Sequence, residues 1–207
     1  MLTSEEAEII TKIALKHELI VISDEIYEKI AFEGNKHISV GSIPDIAGQV
    51  ITVNGFSKCA AMTGWRLGYL SANRILVDKI YKLYQHTLTC VSEFCQEAAV
   101  VALDSKEEIK TMCEVYENRR IFFIEALQKI PGVSCRFPEG AFYAWAQINK
   151  DEKNSEEISN YLLEKAKVVT VPGSAYGLGG DKCIRMSFAT ATSDLYEAAE
   201  RIKKALS

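Results

Sequence analysis

The sequence predicts an α/β fold followed by a smaller α+β part. Three observations carry this. Short apolar runs at residues 19–22, 49–53 and 67–70 are separated by other structure and read as strands of a parallel sheet. A long helical pattern follows Ser105. After it, residues 142–148 alternate apolar and polar, the pattern of an antiparallel strand covered on one face.

The elements follow in order. Thr3 and Glu6 have capping-box spacing, and Ile10, Ile13, Ala14 and His17 continue at helical intervals. The run at 19–22 suits a strand buried on both faces. Residues 76–103 read as helical with a break near 87–92. Ser105 and Glu108 repeat the capping-box spacing. The helix they start carries Ile109, Met112, Tyr116, Phe123, Leu127 and Ile130 to one side, and Pro131-Gly132 stops it. Residues 155–167 and 194–206 read as helices, 168–171 and 183–188 as strands. The expected domains are 1–105 and 106–207, the long helix linking them. There are no internal repeats or low-complexity tracts.

Bulk composition narrows the classes. Of 207 residues, 48% are hydrophobic and 25% charged, an ordinary globular balance. A net charge of -4 without a basic patch argues against a nucleic-acid partner. No apolar run reaches spanning length, so no membrane partner is expected. The first residues show no signal-peptide pattern, and Cys59, Cys90, Cys95, Cys113, Cys135 and Cys183 form no CxxC pair. Reduced thiols in a cytoplasmic protein are expected. His17, His37 and His86 are unclustered along the chain, and no metal site is expected.

Chemistry concentrates in three segments. Asp24 and Tyr27 lie in Ser-Asp-Glu-Ile-Tyr, just past the first strand. Lys58 sits in a glycine-containing turn after the second strand, and Arg66 follows eight residues later. Ligands of open α/β sheets gather beyond the carboxyl ends of strands, where Asp24 and Lys58 both fall. An amine, a buried carboxylate, a phenol and a guanidinium are the groups that hold pyridoxal 5'-phosphate (PLP). Taken singly, Asp24 is a capping residue, Tyr27 a half-buried tyrosine and Lys58 a surface lysine; their order and spacing outweigh those readings. Arg185 lies in Ile-Arg-Met-Ser-Phe, an alternating strand, and alone reads as an edge arginine.

The segments SDEIY (23–27), VNGFSKCAAMTGWRLGYLSA (53–72) and CIRMSFAT (183–190) resemble the PLP-dependent aminotransferases of the aspartate aminotransferase family, fold type I. The resemblance implies the later part of a large PLP-binding α/β domain plus a small α+β domain. It implies that Lys58 attaches the cofactor and then moves the proton at the substrate's α-carbon. Asp24 would face the pyridine nitrogen, Tyr27 the ring hydroxyl oxygen, and Arg66 the phosphate. Arg185 would clamp the α-carboxylate in a bidentate fork. The partners implied are an amino acid and a 2-oxo acid, in a homodimer. Gly55 departs from the many relatives with serine there, whose hydroxyl adds a phosphate contact.

The resemblance covers only the later half of such an enzyme. The chain is therefore expected to be an incomplete C-terminal portion, inactive by itself, without the ring-stacking aromatic and the glycine-containing phosphate loop. Two alternatives stay open: another fold type I reaction such as β-elimination or decarboxylation, or a non-catalytic truncated module. Residues 177–180, rich in glycine, lack phosphate-loop spacing and read as a turn.

Overall fold

The computed structural model describes residues 1–150 and 152–206. The chain forms two compact units, Met1–Thr111 and Met112–Ser207.

The first unit opens with α1 (Ser4–Lys16). Thr3 caps it as expected: the Glu6 amide donates to the Thr3 hydroxyl at 3.2 Å, and the Thr3 amide donates to the Glu6 carboxylate at 2.8 Å. Burial there matters more than capping. Ala14 of α1 joins Val40, Ile46 and Val50 in a core cluster edged by Ile10, Val21 and Ile43. Through Val21 and Val50 that cluster packs on the first two strands of a three-stranded sheet of β1 (Val21–Asp24), β2 (Val50–Gly55) and β3 (Gly68–Ser71), in that order.

β1 and β2 are parallel, Val21 opposite Val50 and Asp24 opposite Val53. The crossover between them contains short 3-10 turns at Val40–Ser42 and Ala47–Gln49, not an α-helix. β3 corrects the expectation of an all-parallel sheet, for it runs antiparallel to β2, with Gly55 opposite Gly68. The link between β2 and β3 holds only α2 (Phe56–Cys59) and a 3-10 turn, Thr63–Trp65. Folded into these local turns, it holds no helix long enough to carry the chain back across the sheet for a parallel crossover. Burial on both faces of β1 is a second correction. Val21 faces the cluster, but Ile22 is 70% exposed, because alternate side chains leave the other face uncovered.

α3 (Arg74–Thr87) and α4 (Glu93–Asp104) are separate helices, with the break where the sequence placed it. Asn73 caps α3 by accepting from the Leu76 amide at 2.9 Å. α4 buries Ala99 and Ala102 against Phe56, Met62 and Leu67. The turn that bears Lys58 thus rests on an apolar bed.

α5 (Lys106–Gln128) has residues in both units. Ser105, expected as its cap, donates its hydroxyl to the Val101 carbonyl at 3.1 Å. The second unit has an antiparallel sheet in the order β4 (Val133–Cys135), β5 (Tyr143–Ile148), β7 (Cys183–Ser187), β6 (Val171–Pro172). β5 buries Ala144, Ala146 and Ile148, and β7 buries Ile184 and Met186. α5, α6 (Ser155–Ala166) and α7 (Thr192–Leu206) contribute Leu127, Leu162 and Ile202, all fully buried. The Tyr161 hydroxyl of α6 donates to the Ala205 carbonyl of α7 at 2.8 Å.

β6 is shorter than residues 168–171 suggested. Lys167 takes a left-handed conformation (φ 57°) that ends α6, and the Val168 amide reaches back to the Leu162 carbonyl. Residues 168–170 are spent on that reversal. Arg120, on the inner side of α5, is 1% exposed. It donates to the Pro138 carbonyl at 3.0 Å, lies 3.8 Å from Glu117 and stacks over Phe137. Such partners are what a buried guanidinium requires.

Phe188, fully buried, anchors the end of the β5–β7 ladder through its amide to the Phe142 carbonyl. Phe188→Ala is expected to cost about 3–5 kcal/mol by leaving a cavity. The check is urea unfolding followed by Trp145 emission in a Trp65→Phe background; an unchanged midpoint would contradict this packing.

Candidate active site

Four of the five expected site residues lie at one end of the first unit's sheet. Asp24 ends β1 opposite Val53 of the parallel β2. Two residues past Val53 the chain turns into α2, which carries Lys58. Arg66 stands two residues before β3, whose Gly68 pairs with Gly55. Both carboxyl ends of a parallel pair thus meet the start of the returning strand. Arg185 belongs to the second unit.

Asp24 is exposed, and its Oδ1 accepts from the Ile26 amide at 3.2 Å, an Asx turn. The expectation of a buried carboxylate here is corrected: the buried one is its neighbour Glu25, 5% exposed. Alternation at the strand end sends Glu25 inward and Asp24 outward. Tyr27, half-buried, follows in the same turn, and its carbonyl accepts from the Ile30 amide at 2.9 Å.

Lys58 is half-buried on a single helical turn. The turn is tightly determined. The Ala60 and Met62 amides both donate to the Phe56 carbonyl, and the Phe56 amide donates to the Leu67 carbonyl. Ala61 (φ 53°) and Arg66 (φ 55°) are left-handed without being glycine. Such residues cost of order 1–3 kcal/mol each and persist where the surroundings over-determine them. Met62 and Leu67, buried against α4, supply that determination.

Arg66 is exposed and donates to the Thr63 carbonyl at 3.1 Å, which directs its guanidinium along the turn. The preceding Trp65 is 47% exposed. Gly55 has a steric reason to be glycine: a Cβ there would lie 2.9 Å from Gly68 Cα and 2.9 Å from the Leu67 carbonyl oxygen. A serine would require β2 and β3 to shift. The donor set fits PLP in kind: an amine on a fixed turn, an outward carboxylate at the strand end and a guanidinium, all at one end of the sheet.

Cys59, next to Lys58, donates to the Gly55 carbonyl at 3.3 Å. Burial, with Glu28 adding, pushes its thiol above the ordinary range. Burial and the same Glu28 push the Tyr69 phenol up. His37, which the sequence left unclustered, lies 2.8 Å from Glu25 and groups with Glu25 and Glu28, ligand-type atoms within 4.8 Å of one another. Nothing in the sequence signals that contact, because twelve residues separate the pair. A separate apolar groove between β2–β3 and α3, walled by Leu70, Val77, Ile80, Tyr81 and Tyr84, includes none of the five residues.

In the second unit, Arg185 is half-buried on β7 opposite Trp145. Its guanidinium carbon lies 4.2 Å from the centre of the Tyr143 ring and 4.8 Å from that of Tyr176. Trp145 meets Tyr176 edge-on at 5.6 Å. Two rings on a guanidinium restrict its plane while leaving N–H groups in that plane available. Nothing local in the sequence signals this aromatic setting.

The sequence model of the family "Aminotransferase class I and II" matches residues 1–202. An aspartate aminotransferase of Musicola paradisiaca is 38% identical, aligned over all of this chain and 52% of its own length. Aromatic-amino-acid aminotransferase 2 of Thermococcus litoralis is 39% identical over all of this chain and 54% of its own. The solved structure of an aromatic aminotransferase from Pyrococcus horikoshii superposes with a TM-score of 0.95 at 37% identity, covering 100% of this chain and 56% of that one. The chain spans about half the length of the curated relatives it matches.

All six cysteines are free, and Cys90 is exposed. Burial pushes Cys135 up to about 11. At pH 7.5 less than about one part in a thousand of Cys135 is thiolate, the form that reacts. Iodoacetamide at that pH should therefore modify Cys90 first, Cys59 slowly and Cys135 last, read by timed peptide mass mapping. Rapid loss of Cys59 would mean that the lysine turn is more open than described.

Proposed function

The chain belongs to the class I and II aminotransferase family, and on that premise we propose that, as the C-terminal portion of a complete enzyme, it provides Lys58 for PLP and serves the transfer of an amino group between an amino acid and a 2-oxo acid. The observation that supports this most is the parallel register of β1 and β2. It puts Asp24 and the Lys58 turn at one end of the sheet. Bound PLP supplies the electron sink for the bond broken at the α-carbon.

The residues divide the remaining work. Lys58, on a turn seated on α4, would hold the cofactor, and its amine is the group placed to hold or move the proton of the α-carbon. Asp24 presents a negative charge to the protonated ring nitrogen, and Tyr27 donates toward the ring hydroxyl oxygen. Arg66 holds the phosphate with charge-assisted hydrogen bonds. Arg185, with its plane limited by Tyr143 and Tyr176, takes the α-carboxylate in a bidentate fork. We assign cofactor attachment to the first unit and carboxylate binding to the second, and we expect a homodimer in the cytoplasm. Among the described residues no helix is long and apolar enough to cross a membrane.

Two experiments test the assignment. Borohydride reduction of the complete enzyme with PLP, followed by peptide mapping, should place the pyridoxyl group on Lys58; label on Lys12 or Lys79 instead would sink it. Arg185→Lys should weaken 2-oxo acid binding about tenfold or more, since an ammonium cannot reproduce the fork, while PLP retention stays unchanged. Loss of PLP with oxo-acid affinity intact would exchange the roles of Arg185 and Arg66.

A further inference from the structure

The strand end that presents Asp24 outward also buries a carboxylate that the proposed chemistry does not use. The Glu25 side chain is 3% exposed. Its Oε1 accepts from the Ser23 hydroxyl at 3.0 Å and from the Ser39 hydroxyl at 2.9 Å. Its Oε2 lies 2.8 Å from His37 Nε2. Its amide donates to the Val53 carbonyl at 2.8 Å, and its carbonyl accepts from the Glu28 amide at 2.9 Å. One residue therefore ties together β1, β2, the loop at 37–39 and the turn that contains Tyr27.

A carboxylate taken from water is costly unless its oxygens are filled by donors. Here both are filled, by groups from two separate segments. Hydrogen bonds to a charged group are among the strong ones, so the inward rotamer is strongly favoured. Successive side chains of an extended chain face opposite ways, so holding Glu25 in holds Asp24 out. Asp24 then closes its Asx turn on the Ile26 amide, and Tyr27 follows in a fixed relation.

We propose that Glu25 is the positioning residue of the cofactor turn. Anchored by Ser23, Ser39 and His37, it sets the face on which Asp24 is presented and the path of the chain through Tyr27. The consequence for PLP rests on the cofactor reading above; the consequence for the backbone does not. Glu28, whose carboxylate lies beside Glu25 and His37, adds charge at this anchor and is itself 3.2 Å from the Lys29 ammonium.

The test compares the 207-residue chain with Glu25→Gln, Ser39→Ala and His37→Gln, using two readouts. The first is amide hydrogen exchange at Ile26, referenced to Ile22 and Thr52 in the paired strands. The second is the PLP dissociation constant from the visible absorption of the bound cofactor. Glu25→Gln should speed Ile26 exchange about tenfold or more relative to Thr52 and raise the PLP dissociation constant by a similar factor. Ser39→Ala, which keeps the carboxylate and loses one donor, should move both in the same direction by less. His37→Gln, which keeps an N–H for Oε2, should stay within about threefold of the parent. A role confined to general stability would speed Ile22, Ile26 and Thr52 alike, and that result, like unchanged Ile26 exchange in both Glu25→Gln and Ser39→Ala, overturns the proposal. Where the parent chain takes up no PLP, as a portion without the ring-stacking aromatic and the phosphate loop would not, the exchange comparison decides the positioning role by itself.

Discussion

The pairing of Val21–Asp24 with the first four residues of β2, in one direction and one register, is the constraint on which the rest of the first unit depends. A parallel pair ends both strands at the same edge. Whatever follows each strand is therefore delivered to one place. β1 delivers a turn of acidic and phenolic residues, and β2 delivers a lysine on one helical turn. A slip of one residue would exchange the two faces, burying Asp24 and exposing Glu25. The core cluster on one face of the sheet and the filled oxygens of Glu25 both oppose that slip.

The lysine turn is held from the other side. Phe56, Met62 and Leu67 are spaced along a stretch that begins and ends at the β2–β3 ladder, and each is buried with α4. The left-handed Ala61 and Arg66 would be costly in a free loop. Here the apolar contacts and the bonds to the Phe56 and Leu67 carbonyls offset that cost. The bare contact between Gly55 and Gly68 brings the two strands close where the turn begins. The turn sits firmly because three weak constraints agree.

Much of this was legible in the sequence, and the reasons differ by element. The Thr3–Glu6 cap, the break between α3 and α4 and the alternation in β5 are local signals, and each appears where it was read. The direction of β3 was not legible, because apolar pattern does not carry strand direction; the local turns that fill the β2–β3 link do. Asp24 was placed on the correct strand end but on the wrong side of the surface, since two adjacent acids give no sign of which turns inward. The Glu25–His37 contact and the stacking of Arg185 depend on residues far apart in the chain. Arg120, buried on a helix face that otherwise reads as apolar, was invisible for the same reason: Pro138, its carbonyl acceptor, lies in a loop.

The chain has two tryptophans, and they are distributed one to each unit. Trp65 precedes Arg66, and Trp145 lies across the ladder from Arg185. Both are partly exposed, at 47% and 41%, so both emit at wavelengths sensitive to nearby water. Each of the two arginines proposed to bind anions thus has its own optical reporter. Replacing either tryptophan with phenylalanine leaves a chain whose emission follows a single unit, so that the order in which the two units unfold, or respond to phosphate and carboxylate, can be read from light alone.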